Sequence, residues 1–415
     1  MKILFVSKDG DGLGIAEKLL SEGHDVRFYI KDSSYEFALL NIIERVTSWR
    51  PHAAKWADFV IADMVGFGKF ATVLDKFEVP HLGFSLIADS MELDRQRQMQ
   101  LLRRVGIRLP ETHEFDSPNA AKDLMKPWRK PGWVLKPSGN IDTGKTILAY
   151  DPDTYEWALD QYTGDQELVV QRIVKGVEVS TEGWFNGKTW IEPFNHTFEE
   201  KRFLEGDLGP NTGCMGNVVI PASGSKYLLI KELKKLTPFL EAASFKGPVD
   251  LNTIVNEDGI FGLELTARFG YDAFEGLHEL LTEPLGAMLL AVATGSKTEM
   301  RLRLKDQAVV VRLTVPPYPH ADADKQDRGL PVIGLPKDYE HFYLTDVYKE
   351  NGLTKWAGSD GVLMKVAGSG SNIKKARKKA YDLINRIEVN GLQFRRDIGE
   401  RVEADMKQLK KWKVM

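Results

Sequence analysis

The spacing of apolar and polar positions changes character twice along the chain. Over the first 88 residues, short apolar runs (KILFVS, VRFYIK, ADFVIADM, VPHLGFS) alternate with amphipathic stretches such as IAEKLLSEG. Brief apolar runs bounded by turn residues read as buried strands and the amphipathic stretches as helices, so the alternation predicts a parallel sheet covered by helices. The same reading places helices up to about Ser48 and near 69–77, and one long polar helix from Met91 to Val105 that stops at Gly106. The middle of the chain is different. GWVLKPSGN, KTILAY, ELVVQRIV, VEVSTEGWFNGKTWIE and the segments from 247 to 266 are strand-like, with a hairpin turn at Asp258-Gly259. A helix-like segment at 275–294 follows. QAVVVRLTVPP, HFYLTDVYKEN, GVLMKVAGSGS and the helix-like SNIKKARKKAYDLINRI then predict a further α+β unit. The expectation is an α/β and α+β multidomain protein, divided at 1–88, 89–300 and 301–415.

Composition narrows this pattern without overturning it. With 415 residues, 43% hydrophobic and 28% charged, the chain can bury large cores and is neither disordered nor fibrous. Its 56 basic and 59 acidic residues leave a net −3, which argues against bulk attraction to nucleic acid or anionic membrane. LGAMLLAVATG is half a membrane span and reads as a core helix. The opening MKILFVSKDG has too short an apolar run for a secretory signal, and a single cysteine, Cys214, fits a reducing compartment; a cytoplasmic location is expected. From Lys374 to Met415 there are 13 Lys/Arg against 6 Asp/Glu, a local +7. That run is either a solvated helix face or an attraction for an anionic or nucleotide-like acceptor.

Candidate chemistry begins with an exclusion. KILFVS, DGDGLG and Asp32 imitate a dinucleotide fingerprint, but its third small position falls on Ile15 or Glu17, and a glutamate there would oppose a pyrophosphate. Four later segments converge on a nucleoside triphosphate. VLKPSGNIDTGKT sets Lys136 on a strand before a loop containing Gly139, Gly144 and Lys145, suited to clamping phosphates. It matches the bare Walker spacing, yet TILAY after it is strand-like where a Walker loop opens a helix. ELVVQRIVKGVEVS leads a buried strand into a linker, with Glu178 beyond it to accept ribose hydroxyls or simply to face solvent. KRFLEGDLGPNTGCMG combines Lys201, Arg202, Asn211 and Thr212 with four glycines, either a ligand-covering loop or a structural Ω-loop. In DLNTIVNEDGIFGLELTARFG, period-two spacing groups Asp250 with Asn252, and Glu264 with Thr266 and Arg268. If the hairpin pairs those faces, its oxygen ligands suit Mg²⁺; the alternative is a solvated hairpin surface. The eight histidines show no zinc spacing, and Cys214 reads as inert.

Taken together these segments resemble the ATP-grasp superfamily, and within it glycinamide ribonucleotide synthetase (phosphoribosylamine–glycine ligase). GDLGPNTGCMG is similar to that family's GDxGPNTGGMG, ELTARFG to its E-x-N-x-R-F-G, and FRRDIGERV to its F-R-x-D-I-G close. The resemblance implies a central ATP-grasp fold with a mobile lid at about 119–185. It implies Lys136, Gly139, Gly144 and Lys145 on ATP phosphates, Gln171, Arg172, Ile173 and Val174 at the adenine hinge, and Glu178 on the ribose. Glu264 would ligate Mg²⁺ (or Mn²⁺), while Lys201, Asn211, Thr212 and Arg268 would face the acyl phosphate and the carboxylate and amine substrates.

Departures qualify this picture. Thr266 replaces a metal-binding asparagine, and Asn252, where the family has glycine, is the candidate to supply the amide. Met99 stands where a phosphate-binding lysine is expected, with Arg95 as substitute. SKDGDGLG lacks the arginine and histidine of the family's first loop, and Val362 occupies an arginine position in GSDGVL. The expected reaction is ATP-dependent ligation of glycine to phosphoribosylamine through an acyl phosphate. The alternatives are the same chemistry on another carboxylate or amine, for example in nucleotide or nucleobase modification, and a nucleotide-binding protein without turnover.

Overall fold

A computed structural model describes residues 1–125, 128–138, 146–162, 164–224, 227–270, 272–320 and 328–415. The first sheet contains β1 (Lys2–Ser7), β2 (Asp25–Ile30), β3 (Glu44–Arg45), β4 (Phe59–Ala62) and β5 (His81–Leu82), in the order β3-β2-β1-β4-β5. Every pairing in it is parallel, as the alternating pattern predicts. β1 and β4 are almost wholly buried because helices cover both faces of such a sheet. Phe5 stacks on Phe28 between neighbouring strands, with ring centroids 5.2 Å apart.

A four-stranded antiparallel sheet, order β6-β9-β7-β8, comes next: β6 (Thr112–Phe115), β7 (Trp133–Pro137), β8 (Ile147–Ala149) and β9 (Leu168–Arg172). The helix Pro152–Asp160 packs on it, its start capped by the Asp151 side chain accepting from Thr154 N–H. The largest sheet has eight strands in the order β14-β13-β10-β11-β12-β15-β20-β17. They are β10 (Val177–Asn186), β11 (Trp190–Leu204), β12 (Leu208–Ala222), β13 (Lys246–Asn256), β14 (Gly259–Thr266), β15 (Gln307–Thr314), β17 (Phe342–Leu344) and β20 (Val362–Gly370). A small sheet of β16 (Pro331–Val332), β18 (Val347–Glu350) and β19 (Leu353–Trp356) completes the described strands. The boundary expected at residue 300 therefore falls between strands of one continuous sheet.

Three expected elements differ in form. The single polar helix from Met91 is two, Leu86–Leu93 and Arg95–Arg104, because Asp94 is extended and its side chain accepts from Arg97 N–H as the cap of the second. The helical stretch expected before Ser48 is a 3₁₀ turn at Ser33–Tyr35 and the short β3; its apolar residues pack in turns rather than along one stripe. The segment at 275–294 divides into Ala273–Leu280 and Leu285–Ala293, since Pro284 has no N–H to continue a helix.

Candidate active site

The candidate site lies where the four-stranded sheet meets the open edge of the eight-stranded one. β13 and β14 pair with Asp250 opposite Thr266 and Asn252 opposite Glu264, so the oxygen-bearing faces are brought together. β10 lies on the other side of β13, placing Ser180 opposite Asn252 and Glu182 opposite Asp250. Lys136 projects from β7, and its ammonium donates to the Leu263 carbonyl on β14 at 3.4 Å.

These side chains form one electrostatic unit. Lys201 Nζ sits 2.7 Å from Glu178 and 3.2 Å from Glu199, while Asn252 Nδ2 donates to Glu178 at 2.9 Å. Burial pushes Glu178 up, but the Lys201 charge and the two hydrogen bonds outweigh it and hold its carboxyl at about 2. Burial likewise opposes ionisation of Glu264, whose carboxyl is nevertheless held below its usual value by Arg95, Lys136, Lys201 and Arg268. Arg95 Nη1 lies 3.4 Å from Glu264. Lys136 responds in the opposite sense: burial brings it down to about 8, because Glu264 only partly compensates and Arg95 adds repulsion. Asp250 rises to about 7 through burial and then the nearby Glu199 charge.

A divalent cation fits this donor set in a limited way. Among the described residues no group of three or more His, Cys, Asp or Glu is arranged to hold a metal ion. Glu264 offers a carboxylate whose side chain is 37% exposed, and buried Asn252 Oδ1 has no hydrogen-bond partner among the described residues. One carboxylate and one amide oxygen match a magnesium site that takes its other ligands from phosphate and water.

The remaining candidates separate. Arg268 donates from Nε to Glu92 at 2.6 Å and from Nη1 to the Phe269 carbonyl, and its charge reaches both Glu264 and Asp9. Thr212 is tied to the site, its Oγ1 donating to the Lys201 carbonyl at 2.9 Å. Asn211 is not drawn into the cluster; it is exposed and stands opposite Arg202. GDLGPNTG is no Ω-loop: its residues are the tip and first half of β12 in a long hairpin with β11, whose tip has Gly206 at φ +66°. The Gln171 side chain is turned away from the hinge, Nε2 donating to Thr112 Oγ1 and lying 3.3 Å from Met99 Sδ. Arg172 lies over the Trp133 ring at 4.1 Å and donates to the Arg129 carbonyl, and Ile173 N–H donates to the Gly132 carbonyl. Met99 is core, with Arg95 taking the charged position beside Glu264. Gly139, Gly144 and Lys145 lie outside the described residues. Cys214 is buried, and burial raises its thiol well above the usual value, in keeping with an inert residue.

Sequence reasoning missed Glu92, Glu182, Glu199 and Asn217. For Glu182, Glu199 and Asn217 the signal was polar residues at alternate positions of strands otherwise buried on both faces, as in VEVSTEGW, whereas Glu92 lies on the helix Leu86–Leu93. A separate cavity of about 770 Å³, bordered by Lys18, Glu22, His278, Arg303, His341 and Tyr343, lies away from this cluster. Its charges pair among themselves, His341 with Glu279 at 2.8 Å and Arg303 with Asp306 at 3.0 Å.

Comparison with known proteins bears on the family and the fold. The family model for the ATP-grasp (A) domain of phosphoribosylglycinamide synthetase matches residues 94–272. The phosphoribosylamine–glycine ligase of Lactococcus lactis subsp. lactis is 26% identical over 336 residues, covering 79% of each chain. That of Clostridium acetobutylicum is 22% identical across 96% of this chain and 100% of its own. The crystal structure of the Thermotoga maritima phosphoribosylamine–glycine ligase superposes with a TM-score of 0.76 at 20% identity, covering 96% of this chain and 100% of the other. A Campylobacter jejuni biotin carboxylase β,γ-ATP complex superposes with a TM-score of 0.65 at 12% identity, over 94% of this chain and 92% of its own. Residues 94–272 are therefore an ATP-grasp domain of the phosphoribosylglycinamide synthetase family, and the chain as a whole has the fold of the phosphoribosylamine–glycine ligases and resembles them in sequence.

Proposed function

We propose that the protein is an ATP-dependent carboxylate–amine ligase that joins glycine to phosphoribosylamine with release of ADP and phosphate. The observation carrying this reading is the convergence of Lys136, Arg95, Lys201 and Arg268 on the Glu264 carboxylate at the meeting of two sheets. A carboxylate is a poor acceptor for an amine because oxide is a poor leaving group. In the first step a substrate carboxylate oxygen attacks the γ-phosphorus of ATP and ADP leaves, giving an acyl phosphate. The amine nitrogen then attacks the acyl carbon, the carbon–oxygen bond to phosphate breaks, and the nitrogen loses a proton. Lys136, Arg95 and Arg268 neutralise charge on the transferring phosphoryl group, and Lys201, fixed between Glu178 and Glu199, keeps its ammonium oriented. Glu264 and Asn252 would hold Mg²⁺, which when bound would supply positive charge against the phosphates. Val174 and its neighbours take the adenine edge and Glu178 the ribose. A first unit at 1–88, a lid at about 119–185 and a cytoplasmic setting belong to the same reading, with 89–300 and 301–415 as two units that share one sheet.

A specific observation favours a second reading, the same chemistry on another amine. Asp346 accepts from the N–H groups of Ser359, Asp360 and Gly361 at 2.9–3.0 Å, and Asp360 accepts from Val362 N–H. Those donors are already engaged, and Val362 adds no charge for a phosphorylated acceptor. ADP release that requires glycine together with phosphoribosylamine supports the first reading. Release only with other pairs supports the second. ATP binding without turnover against any pair overturns both.

A further inference from the structure

The loops at the carboxyl ends of the first sheet open a crevice beside the phosphate-facing residues. β2 and β4 lie on either side of β1, so the sheet changes direction between β1 and β4. Open parallel sheets bind ligands outside the carboxyl ends of their strands at such a switch point. The loop after β1 lies there and is tied to the loop after β4, Gly12 N–H donating to Asp63 at 2.9 Å. It carries Asp9 and Asp11, and Asp11 N–H donates to Asp9 Oδ1 at 3.4 Å. Asp360 reaches the same crevice from the C-terminal part of the chain: it accepts from Tyr35, just after β2, at 3.2 Å and feels the Asp11 charge. The Arg268 charge reaches Asp9, so the crevice adjoins the position where an acyl phosphate forms.

Two independent observations ask this crevice for a cationic ligand. The first is charge. The cations around it each have a carboxylate of their own: Arg312 has Asp272 at 2.8 Å, Lys365 has Glu275 at 3.3 Å and Arg268 has Glu92 at 2.6 Å. Lys8 also reaches Asp9, more weakly than Arg268 does. Asp9, Asp11 and Asp360 are left facing one another. Burial and then the Asp11 charge push Asp9 up to about 6, and burial and then Asp346 push Asp360 up to about 7. A cation among them would relieve both. The second observation is a buried hydroxyl. Thr345 is 7% exposed, and its Oγ1 has no hydrogen-bond partner among the described residues. Tyr343 stands opposite Lys365 on β20 and Thr345 N–H donates to the Leu363 carbonyl, so Tyr343, Thr345 and Lys365 share one side. On that side Tyr343 meets the start of the first helix, Leu13–Ser21: a Cβ on Gly14 would stand 2.9 Å from Tyr343 Cβ. Lys18, one turn further along that helix, donates to the Phe342 carbonyl, so the residues after Tyr343 run toward Gly10 and Asp11. Lys365 on the same side feels the Asp11 charge. Thr345 thus faces the loop of Asp9 and Asp11, with an oxygen ready to accept from an N–H group. No described trio of acidic or imidazole side chains is arranged to hold a metal ion, which leaves an ammonium or guanidinium group.

We propose that Asp9, Asp11, Asp360 and Thr345 form the acceptor subsite, and that the amine this protein joins carries a second, cationic nitrogen and no phosphate. One end of such an acceptor is held among the carboxylates while its other nitrogen attacks the acyl carbon. The proposal rests on the carboxylate–amine ligase reading and takes its second form, another amine in place of phosphoribosylamine. The test uses 1,4-diaminobutane, 1-aminobutane and 4-aminobutyl phosphate, with phosphoribosylamine beside them, each with glycine, ATP and Mg²⁺. Binding is read by calorimetry and turnover by ADP release. A site built to hydrogen-bond a group discriminates against analogues lacking it, so wild-type protein should favour the diamine over the monoamine by about 10²-fold or more in kcat/KM. The phosphate ester should be weaker still, since like charges oppose it. Asp11→Asn should raise KM for the diamine about tenfold or more while KM for ATP moves less than about twofold, and Asp11→Lys should reverse the order of diamine and phosphate ester. Preference of wild-type protein for 4-aminobutyl phosphate or phosphoribosylamine over the diamine overturns the subsite and leaves the ligase reading standing. Equal binding of diamine and monoamine overturns it too. Parallel loss toward ATP and diamine in both variants assigns Asp11 to structure and removes it from the subsite. Diamine binding that depends on Asp11, without ADP release from any pair, removes the ligase reading and the acceptor role with it, leaving a cation site. The wild-type comparison decides the matter even where a variant fails to fold.

Discussion

Replacing Arg395 by alanine tests how the C-terminal segment FRRDIG supports the site. Arg395 is 2% exposed and uses its whole fork: Nε and Nη2 each donate to Asp397 at 2.8 Å, and Nη1 donates to the Arg202 carbonyl at 3.0 Å and to Asp207 at 3.1 Å. Glu200, also buried, lies 3.5 Å from Nη2. Asp397 in turn accepts from Gly206 N–H, and Glu205 accepts from Arg396 N–H, so the tip of the β11–β12 hairpin is clamped from the C-terminal side. Removing one partner of a buried ion pair costs roughly 3–5 kcal/mol. Asp397 and Asp207 are 22% and 56% exposed and regain water on truncation, and Glu200 keeps Arg401 at 2.9 Å. The cost should therefore lie at the low end, about 3 kcal/mol, against a total stability on the order of 5–15 kcal/mol. Thermal and urea denaturation measure it, with a fall in Tm of about 6–12 °C for a unit of 150–250 residues. Arg395→Lys keeps the charge but not the planar fork and should recover about half of the loss. Because Lys201 and Thr212 sit on the clamped hairpin, kcat should fall more than KM for ATP rises. A loss under about 1 kcal/mol with unchanged kcat would refute the clamp.

Further predictions concern the site itself. Glu264→Ala should reduce ADP formation by about 10²–10³-fold or more, and retained turnover would remove Glu264 from the mechanism. Asn252→Ala should raise the Mg²⁺ concentration needed for half-maximal rate; an unchanged Mg²⁺ dependence would exclude Asn252 as a ligand. Lys136 is charged below its value of about 8 and neutral above it, so kcat/KM for ATP should decline as pH rises through 8. Lys136→Arg should abolish that limb of the profile, and its persistence would assign the ionisation elsewhere. Glu178 is held at about 2, below its ordinary value, so the stability its ion pair with Lys201 contributes is complete above about pH 4.5 and is lost as pH falls toward 2. Acid titration of Glu178→Gln should lack that component.

Much of this protein was readable from residue order alone. Short apolar runs alternating with amphipathic stretches dictate a parallel sheet, because strands covered on both faces must be apolar throughout. Period-two spacing in DLNTIVN and GLELTAR determined that Asp250 and Asn252 would share a side, as would Glu264 and Thr266, and the observed register joins those sides. Glycine-rich GDLGPNTG marked a place of unusual backbone, and the resemblance it carries agrees with the ATP-grasp match over residues 94–272. Tertiary structure decided what spacing cannot encode, namely partners that are distant in sequence. It turned Gln171 inward to Thr112, set Arg95 rather than Met99 beside Glu264, and made GDLGPNTG a hairpin by fastening its tip to Asp397, 191 residues from Gly206. Charge and burial at a site are sums over such contacts. The sequence by itself determined which residues share a face, since that follows from local backbone geometry; only the fold decided which faces meet and which side chain carries its charge into the site.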